Sequence, residues 1–167
     1  MGLPECGTGA LDPVRGLELR HLLAATLFFA DEYTRAAALF DNVGHEYRRY
    51  RLEPSHPYVL DCAYHAGIAY AQAGQPDKAL AQLRFYVQNA DSAASDDEPD
   101  RIREARITIA QLLAAAGHHD EALIELEGVH RILVATFGRD STQVRNLTKL
   151  IDRLRLATGS GTSRRPS

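Results

Sequence analysis

The sequence predicts an all-α fold, namely an α-solenoid of three helical hairpins followed by a C-terminal capping helix. Two observations lead to this prediction. Apolar residues recur at three- and four-residue steps through most of the 167 residues, which is the period of an α-helix. A longer period of 43 residues then relates successive pairs of helices. Because a single pair cannot bury its apolar face, such pairs are expected to stack.

Seven helices are predicted, and most of them are bounded by residues that begin or end helices. Pro13, Pro57 and Pro99 suit the first turn of a helix, where the missing N–H costs nothing. Gly74 and Gly117 suit the left-handed residue that closes the last turn. The predicted helices span residues 13–30, 33–51, 57–73, 76–90, 99–116, 119–137 and 141–157.

The 43-residue period is visible as columns of residues that agree in size or role. Ala36, Ala79 and Ala122 form one such column. An ordinary helical bundle would lack this long period, and a coiled coil would need heptads without the glycine punctuation. The other columns are Phe40/Leu83/Leu126, Val43/Tyr86/Val129, Leu27/Tyr70/Leu113, Leu23/Ala66/Ile109, Ala24/Gly67/Ala110 and the turn residues Asp31/Gly74/Gly117.

The columns also suggest how the chain divides. The repeat domain is predicted over residues 12–157, between tails at 1–11 and 158–167 that are rich in glycine, serine, threonine and proline. Within the domain the predicted repeats span 13–56, 57–98 and 99–140, and the capping helix spans 141–157. Its apolar side is expected to carry Leu147, Leu150, Ile151 and Leu154. The mixed column Leu39/Gln82/Glu125 suggests that Gln82→Leu would be nearly silent.

Several of these columns carry a family resemblance. The series Gly67, Tyr70, Gly74 and Ala79 resembles the tetratricopeptide repeat (TPR) consensus, and the turns at 31–36 and 117–122 are similar to those of that family. The period is longer than the usual TPR period of about 34 residues. It resembles the kinesin-light-chain type of repeat, whose G-x-x-H-P linker is similar to residues 53–57. The resemblance covers about 13–157, although the consensus tryptophan is absent.

At a finer level, three segments resemble the C-terminal repeat region of actinobacterial serine/threonine protein kinases. These segments are 17–40, 59–87 and 141–147. The resemblance implies a kinase-associated signalling module. The chain itself contains no glycine-rich loop, H-R-D or D-F-G motif, so the resemblance does not imply kinase activity here.

Composition argues against several classes of protein. A net charge of −3 gives no general basic field for nucleic acid. No apolar run is long enough to span a membrane. Cys6 and Cys62 are too few for a disulfide framework, and they favour a reducing, cytoplasmic location.

Candidate catalytic and metal-ligating residues have simpler explanations. The cluster His118-His119-Asp120 falls in a predicted turn, where exposure accounts for its polarity. Cys62 and His65 share a helical face, but a structural zinc site needs four ligands. Cys62 also lies in an apolar column, which predicts a buried core thiol. We therefore expect no enzyme activity, no metal and no cofactor.

The resemblance to TPR proteins implies that the first helix of each hairpin lines a concave groove. The groove residues it implies are His21, Ala25 and Phe29 in repeat one, Tyr64, His65, Ile68 and Gln72 in repeat two, and Thr108 and Gln111 in repeat three. Neighbouring offsets add Glu18, Leu22, Phe28, Asp61, Glu104, Ile107 and Ala115. None of these residues is Lys, Arg or Asn, so the groove is expected to suit an apolar or mildly basic segment.

The function expected from these features is protein–protein interaction, with a protein or peptide partner such as a kinase or its substrate. Phe29 and Tyr64 are the expected anchors, because interface energy concentrates in a few aromatic residues. The alternative is a homodimer in which the groove or the terminal helix binds a second copy. Neither nucleic acid nor membrane is an expected partner.

Overall fold

The computed structural model describes residues 13–50, 52–90 and 98–159, and helices account for most of them. Every predicted helix is present, and no predicted end differs from the observed one by more than two residues. The predicted tail at 1–11 and residues 160–167 lie outside the described residues. The helices are α1 (Pro13–Phe29), α2 (Tyr33–Arg49), α3 (Pro57–Gln72), α4 (Pro76–Ala90), α5 (Glu98–Ala115), α6 (His119–Phe137) and α7 (Thr142–Gly159).

The helices form a linear stack. Each helix packs against the next one along the chain, so that α1/α2, α3/α4 and α5/α6 are hairpins and α7 covers α6. Between non-consecutive helices, the backbones of α1 and α3 and those of α3 and α5 approach each other. Side chains also join α2 to α4, through Asp41 and Gln82, and α4 to α6, through Arg84 and Glu121. This pattern of nearest-neighbour packing is that of a repeat protein. The prediction of an all-α solenoid is confirmed.

The turn inside each hairpin has the same geometry in all three repeats. The amide five residues after Leu27, Tyr70 and Leu113 donates to the backbone oxygen of that residue, at 2.9, 2.9 and 2.8 Å. Just before each donor the backbone is left-handed, which glycine adopts without steric cost. The left-handed residues are Asp31, Gly74 and Gly117, with φ of 58°, 70° and 84°.

The core follows the predicted columns. The alanine column, the column that begins with Phe40 and the column that begins with Val43 are all buried. Small residues also allow the close crossing of α3 and α4, since a Cβ atom at Gly67 would lie 2.6 Å from Leu83 Cγ. Two columns depart from the pattern at their first member. Leu19 is 62 % exposed, although Cys62 and Ala105 at the equivalent positions are buried. Ala66 and Ile109 are buried, whereas Leu23 is 52 % exposed.

The capping helix α7 buries a slightly different face from the one predicted. Leu147 and Ile151 are buried as expected, and Leu154 is partly buried. Val144 joins them, whereas Leu150 is 42 % exposed. The face is therefore rotated by part of a turn from the prediction.

The expectation for Gln82 does not fit the structure. Its side-chain amide donates to Asp41 Oδ1 at 2.7 Å, and the hydroxyl of Tyr70 donates to the other oxygen of the same carboxylate at 3.0 Å. Replacing Gln82 with Leu would remove one of these two donors. The change is therefore not expected to be silent, because a half-buried carboxylate would lose a hydrogen bond.

Candidate functional site

A charged cluster in the middle of the stack links three helices. Asp61 of α3 accepts from Nε2 of His21 on α1 at 2.8 Å and from Nη1 of Arg101 on α5 at 2.9 Å. His65 lies one turn along α3, with Nδ1 3.0 Å from the backbone oxygen of Asp61 and 3.2 Å from its carboxylate. We call these four residues the Asp61 cluster. They join the first helices of all three hairpins.

The carboxyl group of Asp61 stays ionised in this environment. Burial by itself would raise its pKa, but hydrogen bonds from His21 and His65, and their charges, outweigh burial and hold the pKa well below its usual range. The guanidinium of Arg101 is affected in the opposite sense: burial lowers its pKa, while the bond to Asp61 raises it, and the net direction is upward. The ionised carboxylate of Asp61 therefore links the three repeats electrostatically.

We expect Asp61→Asn to reduce the free energy of unfolding by about 1–3 kcal/mol near neutral pH, because three donors lose a charged acceptor. The contribution of a carboxyl with a depressed folded-state pKa is present above its unfolded pKa and is lost as the pH falls through the folded value. Urea unfolding should therefore show the difference between wild type and variant narrowing from about pH 5 to about pH 3.

The matched control for this prediction is Asp140→Asn, since Asp140 is exposed in the turn before α7. Its effect should stay within about 0.5 kcal/mol at both pH values. A difference between wild type and Asp61→Asn that is constant with pH would contradict the role given to the ionised carboxylate.

Tyr64, one of the expected anchors, belongs to the core. The side chain is 8 % exposed, and its ring centroid lies 5.2 Å from that of Tyr86. Its hydroxyl donates to Glu104 at 2.6 Å, and Arg101 lies over the ring at 5.2 Å. Burial, together with the hydrogen bond to Glu104, raises the pKa of the Tyr64 hydroxyl. Truncating Tyr64 would therefore report on stability and not on partner binding.

Phe29, the other expected anchor, is exposed, and its ring contacts the ring of Phe28. It is 81 % exposed at the end of α1, and its ring meets that of Phe28 edge to face at 5.8 Å. Phe28 in turn contacts the ring of His65 at 5.3 Å, and His65 stacks on Phe40 at 5.1 Å. An aromatic chain thus runs from the core to an exposed ring. This exposure is compatible with an anchor.

The remaining predicted groove residues differ in exposure. Gln72 and Gln111 are exposed, whereas Ala25 is half-buried. Ile68 packs against the core of the second and third hairpins. Thr108 is half-buried, and its hydroxyl donates to the backbone oxygen of Glu104 at 3.0 Å. We use the term first-helix face for the surface formed by α1, α3 and α5, on which Phe29, Gln72 and Gln111 are exposed.

An apolar cavity of about 340 Å³ adjoins this face at its C-terminal end, between α5, α6 and α7. In the column that contains His21, Tyr64 and Ile107, the first two side chains are rings that contact neighbouring aromatic residues. Ile107 is shorter, and it lines the cavity. The other lining residues are Arg103, Leu133, Phe137, Gln143, Asn146, Leu147 and Leu150.

The sequence did not predict this cavity. It also did not predict that Arg101 binds Asp61 or that Arg103 lines the cavity. The change from ring to aliphatic side chain at Ile107 was the available signal. It is visible only when the three repeats are compared at that column. The space beside the smaller side chain is a cavity because α7 encloses it.

The candidate metal and catalytic residues do not form a reactive site in the described ranges. Cys62 is buried, and burial raises the pKa of its thiol, which disfavours the reactive thiolate. His118 is exposed and lies 3.5 Å from Glu121. Among the described residues, no group of three His, Cys, Asp or Glu side chains is arranged to hold a metal. None of the helices described is both long and apolar enough to cross a membrane.

Comparison with solved structures identifies the architecture. The chain is similar to the crystal structure of nearly identical TPR-like repeats from a protein of Podosopora anserina described as a kinesin light chain. The TM-score is 0.64 at 23 % identity, over 86 % of this chain and 67 % of that one. A variant of the same protein matches with a TM-score of 0.64 and 23 % identity, over 86 % of this chain and 66 % of that one. No family model and no curated protein matches. These structures confirm the TPR-like fold.

Proposed function

We propose that this TPR-like stack is a non-catalytic module that binds a peptide segment of a partner protein along the first-helix face. The apolar cavity beside Ile107 is the observation that carries the proposal. Exposed apolar cavities beside polar side chains are the usual form of a site for an anchoring side chain. The exposed ring of Phe29 supplies a second apolar contact at the other end of the face.

The cavity suggests the chemistry of the segment. At the equivalent place one repeat earlier, the space is filled by the ring of Tyr64, with Arg101 above it. An aromatic or large aliphatic side chain of the partner would fill the corresponding space beside Ile107, close to Arg103. The exposed amides of Gln72 and Gln111 are available to the backbone of an extended or helical segment.

The signalling context is a further part of this proposal, and it rests on the resemblance to the repeat region of actinobacterial serine/threonine kinases. On this view the segment belongs to a kinase or to its substrate, and the protein works in the cytoplasm without a cofactor. Cross-linking in the source cells followed by mass spectrometry would test that context.

Peptide binding can be tested with random peptides displayed on phage and selected on the immobilised full chain. Fluorescence anisotropy then measures the affinity of a selected peptide for wild type and variants. Ile107→Trp should fill the cavity and weaken binding at least about tenfold, or about 1.4 kcal/mol. We expect Phe29→Ala to weaken binding by a similar factor, because a well-placed aromatic anchor contributes at least that much.

The matched control is Ile124→Ala, because Ile124 is an exposed apolar residue outside the first-helix face, on α6, the second helix of the third hairpin. It should leave the affinity unchanged. Circular dichroism and thermal melting establish that each variant is folded. Peptides that bind Ile107→Trp and Phe29→Ala as tightly as wild type would contradict the proposed site.

A further inference from the structure

The first helix of the stack has an uncovered apolar face. Position 19 of α1 corresponds to Cys62 in α3 and Ala105 in α5, both of which are buried. Position 23 corresponds to Ala66 and Ile109, which are buried as well. In α1 the same two positions carry leucines that are 62 % and 52 % exposed, and Leu22 beside them is 65 % exposed.

The cause of this difference is the position of α1 in the stack. α3 is covered by α2 so closely that a Cβ atom at Gly44 would lie 2.9 Å from Cys62 Cβ, and α5 is likewise covered by α4. Among the described residues, no helix covers the corresponding side of α1. We call this side the end face: Arg15, Leu19, Leu22, Leu23 and Thr26, which recur at helical spacing.

The side chains of the end face are larger and more apolar than a solvated surface requires. The covered positions in α3 carry Cys62 and Ala66, whereas the exposed ones in α1 carry two leucines. A contiguous exposed apolar patch of this kind marks an interaction site. The end face is also separate from the cavity beside Ile107, because that cavity lies at the opposite end of the stack.

We propose that the end face joins two copies of this chain, with the two α1 helices packed antiparallel about a twofold axis near Leu22 and Leu23. Charge supports this arrangement. Arg15 is exposed at the N-terminal end of the end face. Asp31 and Glu32 are exposed just beyond the C-terminal end of α1, where the Tyr33 hydroxyl donates to Asp31 and Arg35 pairs with Glu32, so that two negative charges and one positive charge leave this end net negative. An antiparallel pair places the basic end of each copy beside the acidic end of the other, and a parallel pair opposes like charges.

The sequence before α1 is a poor alternative occupant. Residues 1–12 contain three glycines and a proline, and their large apolar side chains are Met1, Leu3 and Leu11. A second α1 instead offers a matching row of leucines. One pair of helix faces buries less surface area than a standard interface, which buries roughly 1,600 Å². We therefore expect a dissociation constant on the order of micromolar.

Sedimentation equilibrium of the full chain from about 1 to about 300 μM tests the proposal. The mass should rise reversibly from 18.4 kDa towards twice that value. Leu19→Lys and Leu23→Lys should each weaken dimerisation at least about tenfold, because a charge would enter the apolar centre. Ile124→Lys, on an exposed apolar residue of α6, is the matched control and should leave dimerisation unchanged.

The charges and the orientation have tests of their own. Arg15→Glu should weaken the dimer, and adding Glu32→Arg should restore part of the affinity. In a Cys6→Ser background, Leu22→Cys should form a disulfide-linked dimer on oxidation, because Leu22 lies near the twofold axis. Arg15→Cys should not form one, since in an antiparallel pair the two Arg15 side chains lie at opposite ends.

Three outcomes would overturn the dimer, and a fourth would overturn its antiparallel arrangement. The first is a monomer over the whole concentration range, and the second is a dimer that neither lysine variant weakens. The third is a monomeric full chain that dimerises once residues 1–11 are deleted, which would make that segment the occupant. Cross-linking through Arg15→Cys would overturn the antiparallel arrangement. Phe29 follows Leu22 and Thr26 at helical spacing, so peptide binding is measured at protein concentrations where the chain is monomeric. Under that condition neither Leu19→Lys nor Leu23→Lys should change it.

Discussion

Ending the chain after Gly138 should cause aggregation or a large fall in melting temperature. The deletion removes α7 and with it the buried side chains of Val144, Leu147 and Ile151. Burial of such side chains contributes about 1.5–3 kcal/mol each before entropy is subtracted. The three together approach the whole free energy of unfolding of an ordinary domain, about 5–15 kcal/mol. Circular dichroism melting, size-exclusion chromatography and binding of a hydrophobic dye would measure the effect.

A stop after Gly159 is the control, because it retains all of α7. It should leave the melting temperature unchanged. Ile151→Asp provides a point test of the same face, since it places a charge at a buried position without shortening the chain. A chain that ends at Gly138, stays soluble and has the melting temperature of the wild type would contradict the capping role of α7.

Gly67→Val should reduce the free energy of unfolding by about 3 kcal/mol through overpacking of the α3–α4 crossing. A Cβ atom there would lie 2.6 Å from Cγ and 3.2 Å from the backbone nitrogen of Leu83. Since Leu83 is fully buried, its side chain can move only by displacing the side chains packed around it. Urea unfolding monitored by circular dichroism would measure the loss.

Gly128→Ala is the matched control, because a Cβ atom on this glycine of α6 would meet nothing closer than Arg106 Nη1 at 3.9 Å. It should raise the free energy of unfolding by up to about 1 kcal/mol, the cost of glycine inside a helix. Combining Gly67→Ala with Leu83→Ala should cost less than the sum of the two single changes, because each relieves the other. Additive losses would show that the two residues are not in tight contact.

The repeat architecture could be predicted because its signals are local and recur. Helix ends followed from prolines and from the left-handed turn residues Gly74 and Gly117. The 43-residue period places Asp31 in the same column in the first repeat, and its backbone is left-handed although it is not a glycine. The columns of Ala36 and Phe40 were assigned to the core because a buried helix crossing admits few alternatives.

The candidate site was less predictable, because a position on a helix does not say which side chains meet. Tyr64 has the offset of a groove residue, yet its ring packs on Tyr86 and its hydroxyl binds Glu104. Arg101, whose offset predicts no groove position, reaches the carboxylate of Asp61. These contacts depend on side-chain length and on the distance between neighbouring helices, and neither is visible in a single repeat.

The sequence by itself determined the seven helices, the 43-residue repeat and most of the core, because helix periodicity and turn chemistry act within a few residues of each other. Only the tertiary structure decided what covers each helix. Leu23 and Ala66 share one column, yet Leu23 is exposed, because α2 covers α3 and no described helix covers the same side of α1. Ile107 and Tyr64 share another, yet Tyr64 packs on Tyr86 whereas Ile107 lines a cavity, because the burial of a residue depends on its neighbours as much as on the residue itself.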